Sequence, residues 1–204
     1  TSYVLGGILF PQEINIAASF NREHAYNMGA VTAYESRAAN VPWTFSPTMD
    51  LGRNPEWPRM WESFGEDTYV NAQMAVAEVK GMQGDVQNDG KHLYSTVKHF
   101  AAYGTPEGGH NGDRAMVGMN QLFSDFLPPM KMAVERSRNE YDTSDAYTVL
   151  CNAYKTETAS VFGIDKETSH IVAIENPEKA VANINLDKEN MILFCGRFEG
   201  WSKR

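Results

Sequence analysis

Arg59, Lys98 and His99 are the residues of this 204-residue chain whose types and settings could do chemistry. Lys98-His99-Phe100 closes a short apolar run, Tyr94-Ser95-Thr96-Val97, and precedes Ala101-Ala102-Tyr103-Gly104. A strand that delivers an ammonium, an imidazole and an aromatic ring at its C-terminal end puts polar groups where α/β folds keep their chemistry. Arg59 lies between two tryptophans in Trp57-Pro58-Arg59-Met60-Trp61-Glu62. A guanidinium braced by aromatics suits forked hydrogen bonds to adjacent hydroxyls or a carboxylate. The plain alternative is an ion pair with Glu62, Glu66 or Asp67, and spacing alone does not separate the two. Lys98 and His99 are neighbours, so an ideal strand points them to opposite faces. For both to reach one ligand, the backbone must be distorted by a bulge or an unusual peptide bond.

The remaining candidates read as structural. Asp50 follows a strand and precedes Arg53, so a salt bridge holding the loop is favoured over a catalytic carboxylate. His110 and Asp113 could form a metal or acid/base pair, but a solvated loop fits their Gly-rich setting better. Ser124-Asp125-Phe126 lies inside a helical pattern before Leu127-Pro128-Pro129, not at a strand end, and is rejected as a nucleophile motif. Exposed tryptophans can stack on sugar faces, yet tryptophan is more often a core residue. No pair of carboxylates is singled out by its local sequence.

The elements that must position these residues alternate. Asn21 caps a helix through Ala25, Met28, Gly29, Thr32 and Ser36, with Asn40 as its stop. Val41-Pro42-Trp43-Thr44-Phe45 reads as a buried strand ended by Ser46-Pro47. Asp67 opens a second helix through Val70, Met74 and Ala77, which Gly81 and Gly84 terminate. The strand of Lys98 comes next, then a Gly-rich loop from Gly104 to Gly112, then a third helix around Met119 to Val134. Strand, crossover helix, strand is the signature of a parallel sheet.

From about Glu135 charged residues become denser, and two β-like runs appear, His170-Ile171-Val172-Ala173-Ile174 and Met191-Ile192-Leu193-Phe194-Cys195. A short helix is expected between them, with Asn176 as cap and Pro177 in its first turn. The expected domains are therefore 1–134 and a tail at 135–204 of small α+β type, with the boundary near 135–145.

Composition narrows the function classes. Hydrophobic residues make up 42% and charged residues 22%, ordinary for a globular protein, and the length suffices for a substantial core. A net charge of −8 argues against nucleic acid or an anionic membrane as the main partner. It is compatible with a neutral ligand such as a sugar. No apolar run approaches the roughly 20 residues of a membrane span. Cys151 and Cys195 read as buried free thiols rather than a disulfide framework. The chain opens on Thr1 rather than Met, so the native N-terminus is expected upstream.

Five stretches taken in order resemble glycoside hydrolase family 3, the family of many β-glucosidases and β-xylosidases. They are Gly7-Ile8-Leu9-Phe10-Pro11-Gln12, Trp43 through Pro55 with Ser46-Pro47-Thr48-Met49-Asp50-Leu51-Gly52-Arg53-Asn54 at its centre, and Trp57-Pro58-Arg59-Met60-Trp61-Glu62-Ser63-Phe64-Gly65-Glu66-Asp67. Lys98-His99-Phe100-Ala101-Ala102-Tyr103-Gly104 and Phe126-Leu127-Pro128-Pro129-Met130-Lys131 complete the series. Each is modest alone; their order over roughly residues 3–134 is specific. The form around Arg59 looks most like the bacterial β-glucosidase branch.

The resemblance implies a (β/α)₈ TIM-barrel domain, here partial because a full barrel takes about 200–250 residues. It assigns Arg59, Lys98 and His99 to binding hydroxyls of the non-reducing-end sugar, with Glu62, Asp67 and Asp50 in support. It also implies non-proline cis peptides around Lys98-His99-Phe100. The implied reaction is retaining, exo-acting hydrolysis of β-linked glucosides or xylosides, without metal or organic cofactor. A periplasmic or extracellular location follows from the resemblance alone. The family's sugar-binding aspartate, in an Asp-x-x-His-Gly type motif, would precede residue 1. No Ser-Asp-Trp type nucleophile motif occurs after residue 134, although Val149-Leu150-Cys151-Asn152-Ala153-Tyr154 faintly echoes an intervening strand. The expectation is a partial enzyme with little or no activity, prone to self-association through exposed barrel edges. The alternatives are a non-catalytic carbohydrate-binding remnant, or an interaction module in residues 135–204.

Overall fold

Three helices are set by their caps and by the close approach of their backbones. In the computed structural model, residues 4–84 and 89–136 are described in full, with the backbone of 146–149, 170–173 and 191–193. A short helix, α1 (Glu13–Ala17), buries Ile16 and Ala17. The Asn21 side chain accepts the Glu23 N–H at 3.0 Å and starts α2 (Arg22–Ala38), which ends before Asn40 at φ 61°. Asp67 Oδ1 accepts the Val70 N–H at 2.7 Å and starts α3 (Thr68–Gln83). An acceptor at this position satisfies a donor that the first turn leaves unpaired.

Gly84 stops α3 as expected, with φ 58°, but Gly81 lies inside the helix. Its function is packing. A Cβ at Gly81 would stand 2.1 Å from the Tyr26 carbonyl oxygen, and one at Gly29 would stand 2.4 Å from the Glu78 carbonyl oxygen. The two glycines let α2 and α3 meet backbone to backbone.

A third helical stretch begins as α4 (Met119–Gln121), passes through one π-helical turn (Leu122–Phe126) and continues as α5 (Leu127–Arg136). Pro128 and Pro129 occupy the first turn of α5, where the missing N–H groups cost little. In an unbroken α-helix their rings would press on the carbonyls of Ser124 and Asp125.

Two extended segments run parallel on either side of the α3 crossover. Trp43 bridges Tyr94 and Thr48 bridges Lys98, with Thr96 N donating to Ser46 O at 3.0 Å and Lys98 N to Pro47 O at 3.2 Å. The strand–helix–strand expectation holds as this parallel crossover, yet residues 41–45 form isolated bridges rather than a regular strand. Pro42 and Pro47 lack the donors a continuous ladder needs, and the Ser46–Pro47 peptide is cis. The expectation that 41–45 is buried is also corrected. Val41, Trp43 and Phe45 alternate onto one face and are exposed, since no described element covers that face.

The main core joins α1, α2, α3 and α5 over the ends of the extended segments. Ile16, Met28, Met74, Val79, Met130 and Val134 pack there with Met49, Phe64 and Val97. Further along, β1 (Ala146–Val149), β2 (His170–Ala173) and β3 (Met191–Leu193) form a parallel sheet in the order β2-β1-β3. The two β-like runs of the tail thus contain β2 and β3. The helix expected at Asn176-Pro177 and both cysteines, Cys151 and Cys195, lie outside the described residues. No helix among the described residues is long and apolar enough to cross a membrane.

Gly81→Ala is expected to lower the unfolding free energy by about 3 kcal/mol in urea denaturation, because the obstacle is rigid backbone. Gly118→Ala, whose added methyl meets nothing within 4 Å, is the control and should change it by less than about 0.5 kcal/mol.

Candidate functional site

Asp50 sits where the first extended segment turns away, between the fully buried side chains of Met49 and Leu51, and is itself 2% exposed. The Thr48–Lys98 bridge carries it alongside His99. Asp50 Oδ2 accepts the His99 backbone N–H at 3.2 Å and faces His99 Nδ1 at 2.6 Å. A carboxylate at that distance places the proton on Nδ1 and leaves Nε2 as the free edge of the ring. This corrects the expected Asp50–Arg53 bridge. Arg53 instead pairs with Asp125, donates to the Glu66 carbonyl oxygen at 3.2 Å and lies 5.4 Å from the Phe126 ring centre. The sequence separation of Arg53 and Asp125 hid that pair, whereas Asp50 and Arg53 are merely close in the chain.

Arg59 makes the forked pair with Glu62, Nε to Oε1 at 2.7 Å and Nη2 to Oε2 at 2.6 Å. The hydrogen bond to Glu62 raises the arginine above its ordinary value, and burial only partly offsets it. For Glu62, burial alone would raise the carboxyl. The bond and charge of Arg59, with the fields of Lys98 and His99, hold it below its usual range instead. The fields of Lys98 and His99 both reach Glu62. The Lys98–His99 peptide is cis, as the resemblance implied, and so is Phe100–Ala101.

Lys98 is half-buried. Desolvation lowers its pKa first and the like charge of Arg59 adds to this, while Glu62, Glu13 and Asp50 pull the other way. Among the described residues, none takes a hydrogen bond or ion pair from its ammonium.

Tyr103 was not among the candidates read from the sequence, and it ties the site together. Its ring lies 4.4 Å from the His99 ring, 5.7 Å edge-on from Trp57 and 5.5 Å from the Arg59 guanidinium carbon. The tryptophans expected to brace Arg59 have other tasks. Trp57 is 1% exposed and donates Nε1 to Asn111 Oδ1 at 3.1 Å, while Trp61 is exposed and bonds the Pro58 carbonyl oxygen at 2.8 Å. The available signal was an aromatic four residues after His99, in a stretch that already carried the resemblance. Gly104 lets the loop return, since a Cβ there would stand 2.7 Å from the Leu51 carbonyl oxygen.

Asp67 is engaged at the start of α3 and does not join the cluster. His110 and Asp113 are exposed, as expected, and no metal-sized group of His, Cys, Asp or Glu occurs among the described residues. Asp125 lies in the π-helical turn, paired to Arg53, as its helical context implied. What remains is a cluster of a guanidinium, an ammonium and an imidazole, two of them oriented by carboxylates, beside an aromatic ring. Such a set can hold the hydroxyls of a neutral polyol.

Relatives with this arrangement of sequence hydrolyse or are named for glycosides. The chain is 39% identical over 127 residues to the periplasmic beta-glucosidase of Salmonella typhimurium, covering 62% of this chain and 17% of that protein. It is 33% identical over 132 residues to a beta-xylosidase of Formosa agariphila, covering 63% of this chain and 18% of that protein. Among solved structures, the beta-glucosidase from Listeria innocua in complex with glucose superposes with a TM-score of 0.62 at 36% identity, covering 65% of this chain and 19% of that one. The glycosyl hydrolase family 3 N terminal domain matches residues 2–141. The chain belongs to that family, and it spans under a fifth of the length of each of these relatives.

Asp50→Ala leaves the buried His99 N–H and Nδ1–H without their acceptor, and should cost about 2 kcal/mol of stability. Glu107→Ala, which breaks the exposed Arg114–Glu107 pair, should cost less than about 0.5 kcal/mol in the same denaturation series.

Proposed function

We propose that residues 4–136 form the sugar-binding half of a glycosidase site, in a partial (β/α)₈ barrel whose full-length form is a retaining exo-β-glucosidase or β-xylosidase. The observation that carries this reading is the convergence of Arg59, Lys98 and His99 around Glu62 and Asp50. In it, Arg59 uses Nε and Nη2 to hold Glu62 and keeps Nη1 for a hydroxyl. His99 is fixed through Nδ1 and offers Nε2. Lys98 supplies a mobile charged donor with no competing protein acceptor.

These contacts would lower a barrier rather than only hold a sugar. Hydroxyl hydrogen bonds that strengthen as charge develops on the ring favour the oxocarbenium-like transition state over the ground state. Asp50 and Glu62 are both committed to orienting His99 and Arg59, so they act as positioning residues, and the catalytic carboxylates lie outside residues 4–136 in this reading. Retaining hydrolysis uses two carboxyl groups about 5–5.5 Å apart.

The 204-residue chain is expected to bind glucose and cellobiose in calorimetric titration, and to turn over p-nitrophenyl β-glucoside at no measurable rate. Lys98→Ala should weaken glucose binding about tenfold or more, the loss of one charge-assisted hydrogen bond. Absence of binding by the unaltered chain refutes the sugar-site reading. Robust turnover abolished by Lys98→Ala refutes the half-site reading.

A further inference from the structure

Behind Lys98 lies a second group of titratable side chains that the sugar-binding reading leaves unused. Glu13 opens α1 and Glu78 lies in the second half of α3, and both reach the residue before the cis proline. Ser46 Oγ stands 3.3 Å from Glu13 Oε1 and 3.0 Å from Glu78 Oε1. Glu13 Oε1 also receives the Thr48 backbone N–H at 3.4 Å. Glu78 is 3% exposed. The Glu13 residue keeps some surface, but the Oε2 atoms of both glutamates are sealed from solvent and have no hydrogen-bond partner.

This arrangement does not balance with both carboxyls ionised. A serine hydroxyl carries one hydrogen, so it can donate to one carboxylate and must then present a lone pair to the other. With one carboxyl protonated the chain closes. The acid O–H donates to Ser46 Oγ, and the Ser46 O–H donates to the remaining carboxylate. Burial and mutual repulsion act in the same direction, because two desolvated like charges cannot both form cheaply. Burial pushes Glu78 up to about 7. Burial, with the charge of Glu78 second, raises Glu13 well above its ordinary value, against the Thr48 N–H and the charge of Lys98.

We propose that Glu13, Ser46 and Glu78 share one proton at neutral pH and form a pH-sensitive latch. The latch ties α1 and α3 to the segment that ends at Thr48, whose bridge partner is Lys98. Among the described residues, the charged groups facing it are Glu13 from α1, Glu78 from α3 and Lys98 from the second extended segment. Arg59, Glu62 and Asp50 act on Lys98, as Glu13 does.

The sign follows from linkage. The folded chain binds this proton more tightly than the unfolded chain, so the latch's stability is fully present below the ordinary carboxylate value. It is lost in steps as pH rises: Glu78 ionises through about 7, and the shared proton then rests on Glu13, which burial and the charge of Glu78 raise further. The paired surface carboxylates behave oppositely. Asp89, lowered to about 2 by backbone N–H groups and His92, loses its contribution only on strong acidification. The latch is isolated by comparing the unaltered chain with a variant that lacks only its carboxyl, because histidine–carboxylate pairs such as His99–Asp50 and His92–Asp89 are common to both.

Two measurements on the full 204-residue chain test it. The infrared spectrum at neutral pH should contain a protonated-carboxyl C=O stretch that disappears as the pH is raised, whereas ordinary carboxyls are fully ionised there. In thermal melts, Glu78→Gln supplies a permanent donor to Ser46. Its Tm should gain on the unaltered chain by about 5 °C between mildly acidic and mildly alkaline pH. A spectrum without the protonated band overturns the proposal even if the variant fails to fold, and so do melts that stay parallel across the range. Neither readout depends on sugar binding, so the latch can fail without the proposed function and the reverse.

Discussion

A single parallel bridge between Thr48 and Lys98 determines most of what this structure can do. It sets the register of two extended segments separated by the α3 crossover, and it thereby decides which side chains meet at their ends. Two residues past Thr48 and one past Lys98, this register sets Asp50 Oδ2 against His99, and two residues before Thr48 it brings Ser46 to the two buried glutamates. The bridge is short because proline interrupts the ladder at Pro42 and Pro47. Its geometry is instead held from outside, by Asn21 and Asp67 capping α2 and α3 and by the side chains that pack Met49 and Val97 beneath them.

The site is built as pairs in which Arg59 and His99 each have their own carboxylate and Lys98 has none. Arg59 is held by Glu62 and His99 by Asp50, and the forked geometry of the first pair leaves little freedom of orientation. Lys98 is the exception, and its depressed pKa is the consequence of desolvation beside Arg59. Tyr103 supplies a surface against which the imidazole and the guanidinium both lie, so the loop after Phe100 belongs to the site as much as the strand before it. The exposed face of Val41, Trp43 and Phe45 is on the same extended segment, uncovered by any described element.

Where the sequence could be read, the signal was local. Asn21, Asn40, Asp67 and Gly84 announced helix ends because capping depends on a few adjacent residues. The resemblance over the ordered motifs brought Arg59, Lys98 and His99 together although nearly forty residues separate them. It also anticipated a cis peptide at Lys98–His99. Where the reading failed, the cause was long-range. Gly81 looked like a stop and is a contact, because the constraint lies in the Tyr26 carbonyl on another helix. Asp50 looked like a partner for Arg53 and is held by His99. Glu13 and Glu78 carried no local sign at all, since nothing in their spacing reveals a shared serine.

The order of the motifs sufficed, without coordinates, to place the chain in this family, and the caps sufficed to place the starts of α2 and α3. These properties depend on neighbours in the chain, or on residue types that the chemistry restricts. Tertiary structure alone decided how the charges pair, that Tyr103 lies against the site, and that two carboxyls share one buried hydroxyl. Pairing depends on distances between segments far apart in sequence, and on how much water the fold leaves between them.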